Sequence, residues 1–236
     1  MLSEPRSIAF ILDCMHPPVR HEQKTLQQFF ADQSSDADLG YQNFATNALG
    51  AQLTTVHGPT DLPGSTAHSL LAFGADRFQV KEEWPRISLD HFVSRARKAA
   101  ELAMGSFAIP MITGIQCVVR ALASVQGYPD SRSFLDEAFL GFETEDRELF
   151  GKDPGLLGFR LMFPAQGGDT GVHNVRIESF QADPRSVFLE EMGAWPGPVR
   201  SDNLDPLEDA IRQAYEFVTD NVIAYLDRRS HETDGL

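Results

Sequence analysis

The chain lacks any long apolar run. Residues 8–14 form only a short apolar stretch, whereas a helix that spans a bilayer needs about 20 consecutive apolar residues. Residues 1–6 are polar and do not show the basic and then apolar pattern of a secretory signal. These absences predict a cytoplasmic protein that does not insert into membranes.

Cysteine is scarce, with only Cys14 and Cys117 among 236 residues. Two cysteines cannot form the framework of several disulfides that stabilises small secreted domains. Both lie in apolar runs whose pattern predicts strands, so we expect buried, reduced thiols. A single disulfide between them stays open at this point.

Positive charge is also scarce. The sequence has 20 Lys and Arg against 34 Asp and Glu, which gives a formal net charge of -14 and a pI near 4.8. Such a surface repels nucleic-acid phosphates and anionic lipid headgroups, so neither nucleic acid nor a membrane is an expected partner. The 42% of hydrophobic and 23% of charged residues are typical of a globular protein and exclude a disordered chain.

Alternation of apolar and polar residues predicts several strands. The clearest patterns lie at residues 7–14, 109–125 and 156–164. The glycine-rich segment 166–171 connects the last of these to a strand at 172–181, which is typical of a hairpin. Two regions add two or three further strands, at residues 41–57 and 67–82, and the total is six or seven.

Two helices are predicted with clear start signals, beside a short one at residues 21–31. Ser88 is the expected N-cap of the first, in which apolar residues repeat at three- and four-residue steps to residue 103. Arg95 lies outside that apolar stripe. The second helix covers residues 205–228, where Asp205-Pro206 provides an N-cap and a proline at the first helical position.

The strands come in hairpin-like groups and do not alternate regularly with helices, which argues against a doubly wound parallel sheet. We therefore predict an α+β fold, with one mostly antiparallel, curved sheet of about six or seven strands. A middle helix and a long C-terminal helix are expected to pack on it. No linker divides the chain and no internal repeat is visible, so residues 1–236 are predicted to form a single domain.

Residues 76–78 (Asp-Arg-Phe) and the Trp84-Pro85 pair precede an amphipathic helix and the long strand at 109–125. A long helix also follows an aspartate-rich turn, at residues 204–226. In this order of elements the chain resembles a sporadically distributed family of uncharacterised bacterial proteins. The resemblance implies a sheet-rich body with a C-terminal helix. It does not indicate an activity or any functional residues. The architecture is also similar to that of the acidic SecB-type chaperone subunits.

No residue pattern predicts catalysis, a bound metal or a cofactor. Cys14, His16 and His21 lack the paired ligands of structural zinc motifs, so we interpret them as strand-end residues. The glycine run 166–171 leads into a strand and not into a helix, which disfavours phosphate binding. No sequence motif marks a serine or cysteine nucleophile, although a triad assembled in three dimensions stays open.

Acidic residues occur in pairs and triplets along the chain. In an acidic protein such groups are most often solvated, and a catalytic carboxylate would need burial or a close charge partner. We therefore interpret these groups as exposed surface: Glu82, Glu83, Glu143, Glu145, Asp146, Glu190 and Glu191.

The two tryptophans, Trp84 and Trp195, are each followed by proline. Each is expected to close the edge of the core at a turn, or else to line a ligand cavity or contact a partner. The predicted ligand-binding residues are Trp84, Phe92, Phe159 and Trp195. The apolar side chains expected to face inward are Phe73, Phe78, Phe92, Ile115, Phe159 and Phe163.

Two functional hypotheses follow. The first is a non-enzymatic binding or assembly protein, a homo-oligomer or a binder of a protein partner, because the apolar stripe of the last helix is long enough to extend beyond one sheet. The second is a small-molecule-binding, helix-grip-like protein whose sheet and long helix enclose an apolar cavity, with or without catalysis. The oligomeric state and the presence of a co-purified small molecule discriminate between them.

Overall fold

Nine strands form a single antiparallel sheet in the computed structural model, which describes residues 2–47 and 50–233. Their order across the sheet is β2-β3-β4-β5-β1-β6-β9-β8-β7. The strands are β1 (Arg6–Met15), β2 (Asn43–Asn47), β3 (Gly50–Pro59), β4 (Thr66–Phe73), β5 (Arg77–Glu83), β6 (Ile112–Ser124), β7 (Gly158–Phe163), β8 (Val172–Ser179) and β9 (Ser186–Val199). The predicted α+β fold with an antiparallel sheet is confirmed.

The predicted count of six or seven strands is wrong, chiefly because β9 was missed. Residues 186–191 of β9 are mostly buried on both faces of the sheet, so they do not show the alternation that marks a half-buried strand. Gly193 and Pro196 interrupt the pattern further. The region 41–57 also holds two strands, because the chain reverses between Asn47 and Gly50, which pair with each other.

The predicted middle helix and long C-terminal helix are both present. The helices are α1 (Gln23–Ser34), α2 (Leu89–Ser106), α3 (Ser131–Leu135), α4 (Thr144–Phe150), α5 (Asp205–Glu216) and α6 (Ile223–Thr233). A π turn at Asp136–Leu140 extends α3, and a second one at Phe217–Val222 joins α5 to α6. None of the described helices is long and apolar enough to cross a membrane.

Helices α2 and α5 contact each other and lie on one face of the sheet, α2 against β5 and α5 against β6 and β9. Ser88 caps α2 as predicted, since its side chain accepts a hydrogen bond of 3.2 Å from the backbone N–H of His91. Four alanines on the buried face of α2 permit close packing, and α5 also contributes small residues. These buried residues are Ala96, Ala99, Ala100, Ala103, Ala210 and Ala214.

The two halves of the chain follow a similar order of elements, although the first half has five strands and the second has four. In residues 6–106 the chain runs from β1 through α1 and outer strands back to β5, and then forms α2. In residues 112–233 it runs from β6 through α3 and outer strands back to β9, and then forms α5. Because β1 pairs with β6 at the centre of the sheet, β5 and β9 occupy equivalent places on either side. The internal repeat absent from the sequence is therefore present in the topology.

A buried network of polar side chains fastens α2 to the first half of the sheet. Arg95 of α2 forms an ion pair with Glu82 of β5, and both side chains are buried. The hydroxyl of Ser69 donates to Glu82 Oε2 at 2.8 Å, and Arg95 donates to the Ser69 oxygen at 3.2 Å. His57 Nε2 lies 2.7 Å from the same oxygen. Because the single hydroxyl proton goes to Glu82, His57 donates this hydrogen bond.

This network corrects two predictions. Arg95 was expected outside the buried stripe of its helix, and Glu82 was expected on a solvated surface, yet they are 8% and 2% exposed. Side chains alternate across a strand, so Glu83 faces away while Glu82 faces the helix layer. Each charge is buried because the other compensates it, and the sequence of either element alone does not reveal this.

Replacement of Arg95 by leucine should lower the free energy of unfolding by about 3–5 kcal/mol, because Glu82 would stay buried without its cation. Urea unfolding measures this. The matched control on the same helix is Arg97→Leu, whose ion pairs with Asp205 and Glu208 are partly exposed and should contribute much less to stability, because solvent screens them. The double variant Arg95→Leu/Glu82→Leu should recover most of the loss. Equal effects of the two single variants would contradict this account.

Candidate functional site

The second half of the sheet also buries a glutamate beneath its helix, but without a cation. Glu191 lies on β9, the counterpart of β5, and is 0% exposed. Its Oε1 lies 2.8 Å from Nδ1 of His173 on β8. Its Oε2 is buried and has no hydrogen-bond partner among the residues that the structure describes. A buried carboxylate with an unmet oxygen is costly unless it is protonated or finds a partner.

Burial is the largest influence on Glu191 and raises the pKa of its carboxyl from 4.5 to about 7, against the opposing effect of the His173 hydrogen bond. Desolvation penalises the charged form, which is why the proton is held to a higher pH. Glu191 therefore holds its proton up to about neutral pH, within hydrogen-bond distance of the buried His173 ring. Perturbed groups of this kind are concentrated at functional sites.

Aromatic side chains hold His173 on two sides. Its ring stacks on Phe217 of the second π turn, with centroids 4.1 Å apart and an interplanar angle of 8°. Trp195 meets the same ring edge-on at 5.5 Å. His173 Nε2 points towards the β7–β8 turn, where Asp169 Oδ2 lies 3.9 Å away. A line of groups thus runs from buried Glu191 through His173 to the exposed carboxylate of Asp169.

Two glycines make room for this arrangement. A Cβ atom at Gly193 would lie 2.2 Å from the Trp195 ring and 3.0 Å from Glu191 Oε1. A Cβ at Gly171 would lie 2.6 Å from Trp195 Nε1 and 3.1 Å from His173 Nε2. The Trp195 indole therefore fits only because both positions lack a side chain. The Glu191 carboxylate also approaches Gly193 on this side of the sheet.

An open cleft of about 500 Å³ lies on the Trp195 side of His173. It is formed between the β7–β8 turn and the first turns of α5, and the Trp195 indole is fixed there by a 3.2 Å hydrogen bond from Nε1 to Gln213. We name this space the Trp195 cleft. Its lining residues are Ile115, Gly168, Asp169, Thr170, Trp195, Pro196, Pro206, Asp209, Ala210 and Gln213.

An apolar groove of about 440 Å³ lies beyond Phe217. It is bounded by β7 and β8 on one side and by the second π turn and α6 on the other. Phe163 and Phe217 pack at its end with ring centroids 5.2 Å apart. We name this space the π-turn groove. It is lined by Leu161, Phe163, Val175, Ile177, Phe217, Asn221, Val222 and Tyr225.

The structure distributes the four predicted ligand-binding residues over different places. Trp195 lines the Trp195 cleft. Phe92 is 1% exposed and packs on Phe10 at 5.3 Å in the core. Phe159 is partly buried and packs against Phe139 at 5.1 Å. Trp84 lies at the end of β5, with the Arg6 guanidinium over its ring. Their role in ligand binding stays a prediction.

Trp84 and Trp195 do not belong to one site, because they lie at opposite ends of the central strand pair. The backbone of Trp84 bonds to Ile8 near the start of β1, whereas Trp195 pairs with Ile115 near the start of the antiparallel β6. Of the residues expected to face inward, Phe73, Phe78 and Ile115 are buried in the core. Phe163 lines the π-turn groove and is 41% exposed.

Cys14 and Cys117 are free, buried thiols on neighbouring strands. Burial raises the pKa of both thiols well above the usual range, so they are poor nucleophiles. His16 donates from Nδ1 to the Pro17 carbonyl at 2.9 Å and His21 donates from Nε2 to the Gly74 carbonyl at 2.6 Å. Among the described residues no cluster of three metal-ligating side chains is present.

Sequence reasoning missed His173 and misread Glu191 as a solvated residue. The two residues are 18 positions apart in the sequence, separated by most of β8, a turn and the start of β9. Only the strand register brings them together: His173 is paired with Gly193, and Glu191 with Val175. One signal was available, since Glu191 follows the apolar residues Val187 and Leu189 at steps of two. That pattern places a carboxylate on a buried face.

No family model matches the chain, and a search of curated proteins gives no match.

Replacement of Glu191 by glutamine should change how stability depends on pH. The carboxyl of Glu191 has a pKa of about 7 in the folded state and an ordinary value of 4.5 in the unfolded chain. The folded protein therefore loses stability as pH rises from 4.5 to 7, because the unfolded chain releases this proton first. The loss is at most about 3 kcal/mol at 1.36 kcal/mol per pKa unit. Urea unfolding across this pH range should show that the free energy of unfolding of Glu191→Gln increases relative to that of the parent as pH rises. The exposed control Glu145→Gln should show no such gain. Parallel curves for Glu191→Gln and the parent would contradict the assignment.

Proposed function

We propose that this protein is a non-enzymatic binding protein that holds a small apolar molecule in the π-turn groove. The observation that carries the proposal is the position of the groove, between the outer strands of an antiparallel sheet and a π turn in the long C-terminal helix. Its volume of about 440 Å³ lies within the usual range for small-molecule sites. The proposal includes a cytoplasmic location, consistent with the two reduced thiols.

The chemistry of the groove favours an apolar ligand. Its walls consist of aliphatic and aromatic side chains, and the polar atoms of its lining side chains are the Asn221 amide and the Tyr225 hydroxyl. Partly buried Leu161 and Phe217 remain accessible within it. Transfer of apolar surface from water into such a space is favourable by about 25 cal/mol per Å². Asn221 and Tyr225 then provide orientation for one polar group of the ligand.

The π turn supports the same proposal. Phe217, Asn221 and Val222 all belong to it and all line the groove. π turns within α-helices are rare and occur frequently at functional sites, because the inserted residue widens the helix and redirects side chains. In this helix the side chains of Phe217, Asn221 and Val222 are directed towards β7 and β8. A regular α-helix would direct other side chains towards these strands.

Leu161→Trp should fill the groove and weaken binding of the neutral dye Nile red by about tenfold or more, a change of about 1.4 kcal/mol. Fluorescence titration measures the affinity. The matched control is Met162→Trp, the next residue on β7, which points to the opposite face and is 66% exposed. It adds the same side chain outside the groove and should leave dye binding unchanged.

Native mass spectrometry of the freshly purified protein provides a second, independent measurement, and a bound small molecule of low polarity is the expected result. A parent protein that neither carries such a molecule nor binds Nile red would disprove the proposal. So would equal effects of the two tryptophan variants.

A second candidate function is assembly with another protein chain, and the distribution of exposed apolar residues favours it. Among the described residues, every exposed large apolar side chain except Val56 lies between residues 149 and 192. Met162 and Phe163 belong to β7, which is an edge of the sheet and leaves backbone groups free for pairing with another strand. The negative net charge opposes association of identical chains, which places this candidate second.

If β7 mediates self-association, Met162→Ser should weaken it by about tenfold. Val56→Ser removes a comparably exposed apolar side chain, 61% against 66% exposed, from β3 in the other half of the sheet and should not change it. Size-exclusion chromatography with light scattering, run over a range of concentrations, measures the mass. A parent that is monomeric throughout would rule out a homo-oligomer.

A further inference from the structure

We propose that the Trp195 cleft binds a small organic cation, a primary amine or alkylammonium ion, between the indole of Trp195 and the carboxylates of Asp169 and Asp209. This site is separate from the π-turn groove, since His173 and Phe217 lie between the two spaces. Failure of one proposal therefore leaves the other standing. The cleft volume of about 500 Å³ is sufficient for a small ligand.

The charge of the cleft has one sign. Asp169 and Asp209 are its charged lining residues, and the remaining walls are apolar or neutral. Asp169 receives a hydrogen bond from the backbone N–H of Gly171 at 2.8 Å, and its closest basic group is His173 at 3.9 Å. In the described part of the chain, no Lys or Arg forms an ion pair with either aspartate. A ligand that brings a positive charge would supply it.

The apolar walls select an organic cation over a metal ion. Trp195 and Pro196 form one side of the cleft, and Pro206 and Ala210 form the other. The face of an indole attracts ammonium groups through its quadrupole, and tryptophan is the most effective of the aromatic residues in this role. A hydrated metal ion would gain nothing from these walls, whereas the carbon chain of an amine would bury apolar surface against them.

The buried Glu191 does not line the cleft, but it differs from its counterpart in the other half of the sheet in having no Lys or Arg partner in the part of the chain that the structure describes. Its Oε2 has no hydrogen-bond partner among the described residues. In the other half of the sheet the equivalent strand buries Glu82, and there α2 supplies Arg95. Helix α5 supplies no such group, because its buried residues are Leu207, Ala210, Ile211 and Ala214.

A test uses the fluorescence of Trp195. Trp84→Phe leaves Trp195 as the single tryptophan, since the sequence contains two. The full-length variant is titrated with n-butylammonium chloride at constant ionic strength. The expected result is a saturable change in Trp195 fluorescence. The neutral isostere 1-butanol and the anion pentanoate, which carries the same butyl chain, should produce no saturable change over the same range.

Two further variants locate the cation. In the Trp84→Phe background, Asp169→Asn and Asp209→Asn should each weaken n-butylammonium binding by up to about fivefold, the effect of one partly exposed ion pair. Asp202→Asn removes an exposed charge just before α5 that does not line the cleft, and should leave the affinity unchanged. Circular dichroism confirms that each variant is folded.

Three results would overturn the proposal. The first is the absence of a saturable response to n-butylammonium. The second is an equal response to 1-butanol, which would show that the cleft recognises the alkyl chain and not the charge. The third is an equal loss of affinity in Asp202→Asn and the two cleft variants, which would show that only the overall negative charge of the protein attracts the probe.

Discussion

The antiparallel pairing of β1 with β6 is the constraint on which the rest of the structure depends. It joins two halves of similar topology at the centre of one sheet. Once this pair is formed, β5 and β9 lie beside it and the following helices, α2 and α5, pack on the same face and against each other. The positions beneath the two helices are then equivalent in the architecture, although their residues differ.

The two halves use these equivalent positions in opposite ways. Under α2, Glu82 is neutralised by Arg95 and hydrogen-bonded by Ser69, so the carboxylate serves to fasten helix to sheet. Under α5, Glu191 is hydrogen-bonded by His173 and by the backbone of Gly193 and has no Lys or Arg partner in the described part of the chain. Two open spaces lie on either side of His173. A buried carboxylate is tolerated in the first case by pairing and in the second by holding a proton. The duplicated topology thus allows one half to be stabilised while the other keeps unmet polar groups.

Local patterns predict strands and helices, but they do not predict which side chains of different elements contact each other. Ser88 and the alanine-rich stripe define α2, and the glycines of residues 166–171 define the β7–β8 hairpin, because caps and turns depend on nearby residues. β9 was missed because burial on both faces removes the alternation. Arg95, His173 and Glu191 were not predicted as buried partners, since each is buried only because of a residue on another element. Such pairs depend on register and packing, which no local pattern contains.

The second π turn also explains the spacing of apolar residues in the C-terminal helix. Ala214, Val218, Val222 and Leu226 are buried and follow one another at steps of four. In a regular α-helix of 3.6 residues per turn, each such step would rotate the row by about 40°, and Leu226 would turn away from the buried face of the helix. The wider π turn contains an additional residue, which offsets this rotation and returns the following side chains to the same face of the helix. The extra residue of the π turn therefore keeps these four side chains on one face of the helix. This is why apolar residues can recur at steps of four in this part of the sequence.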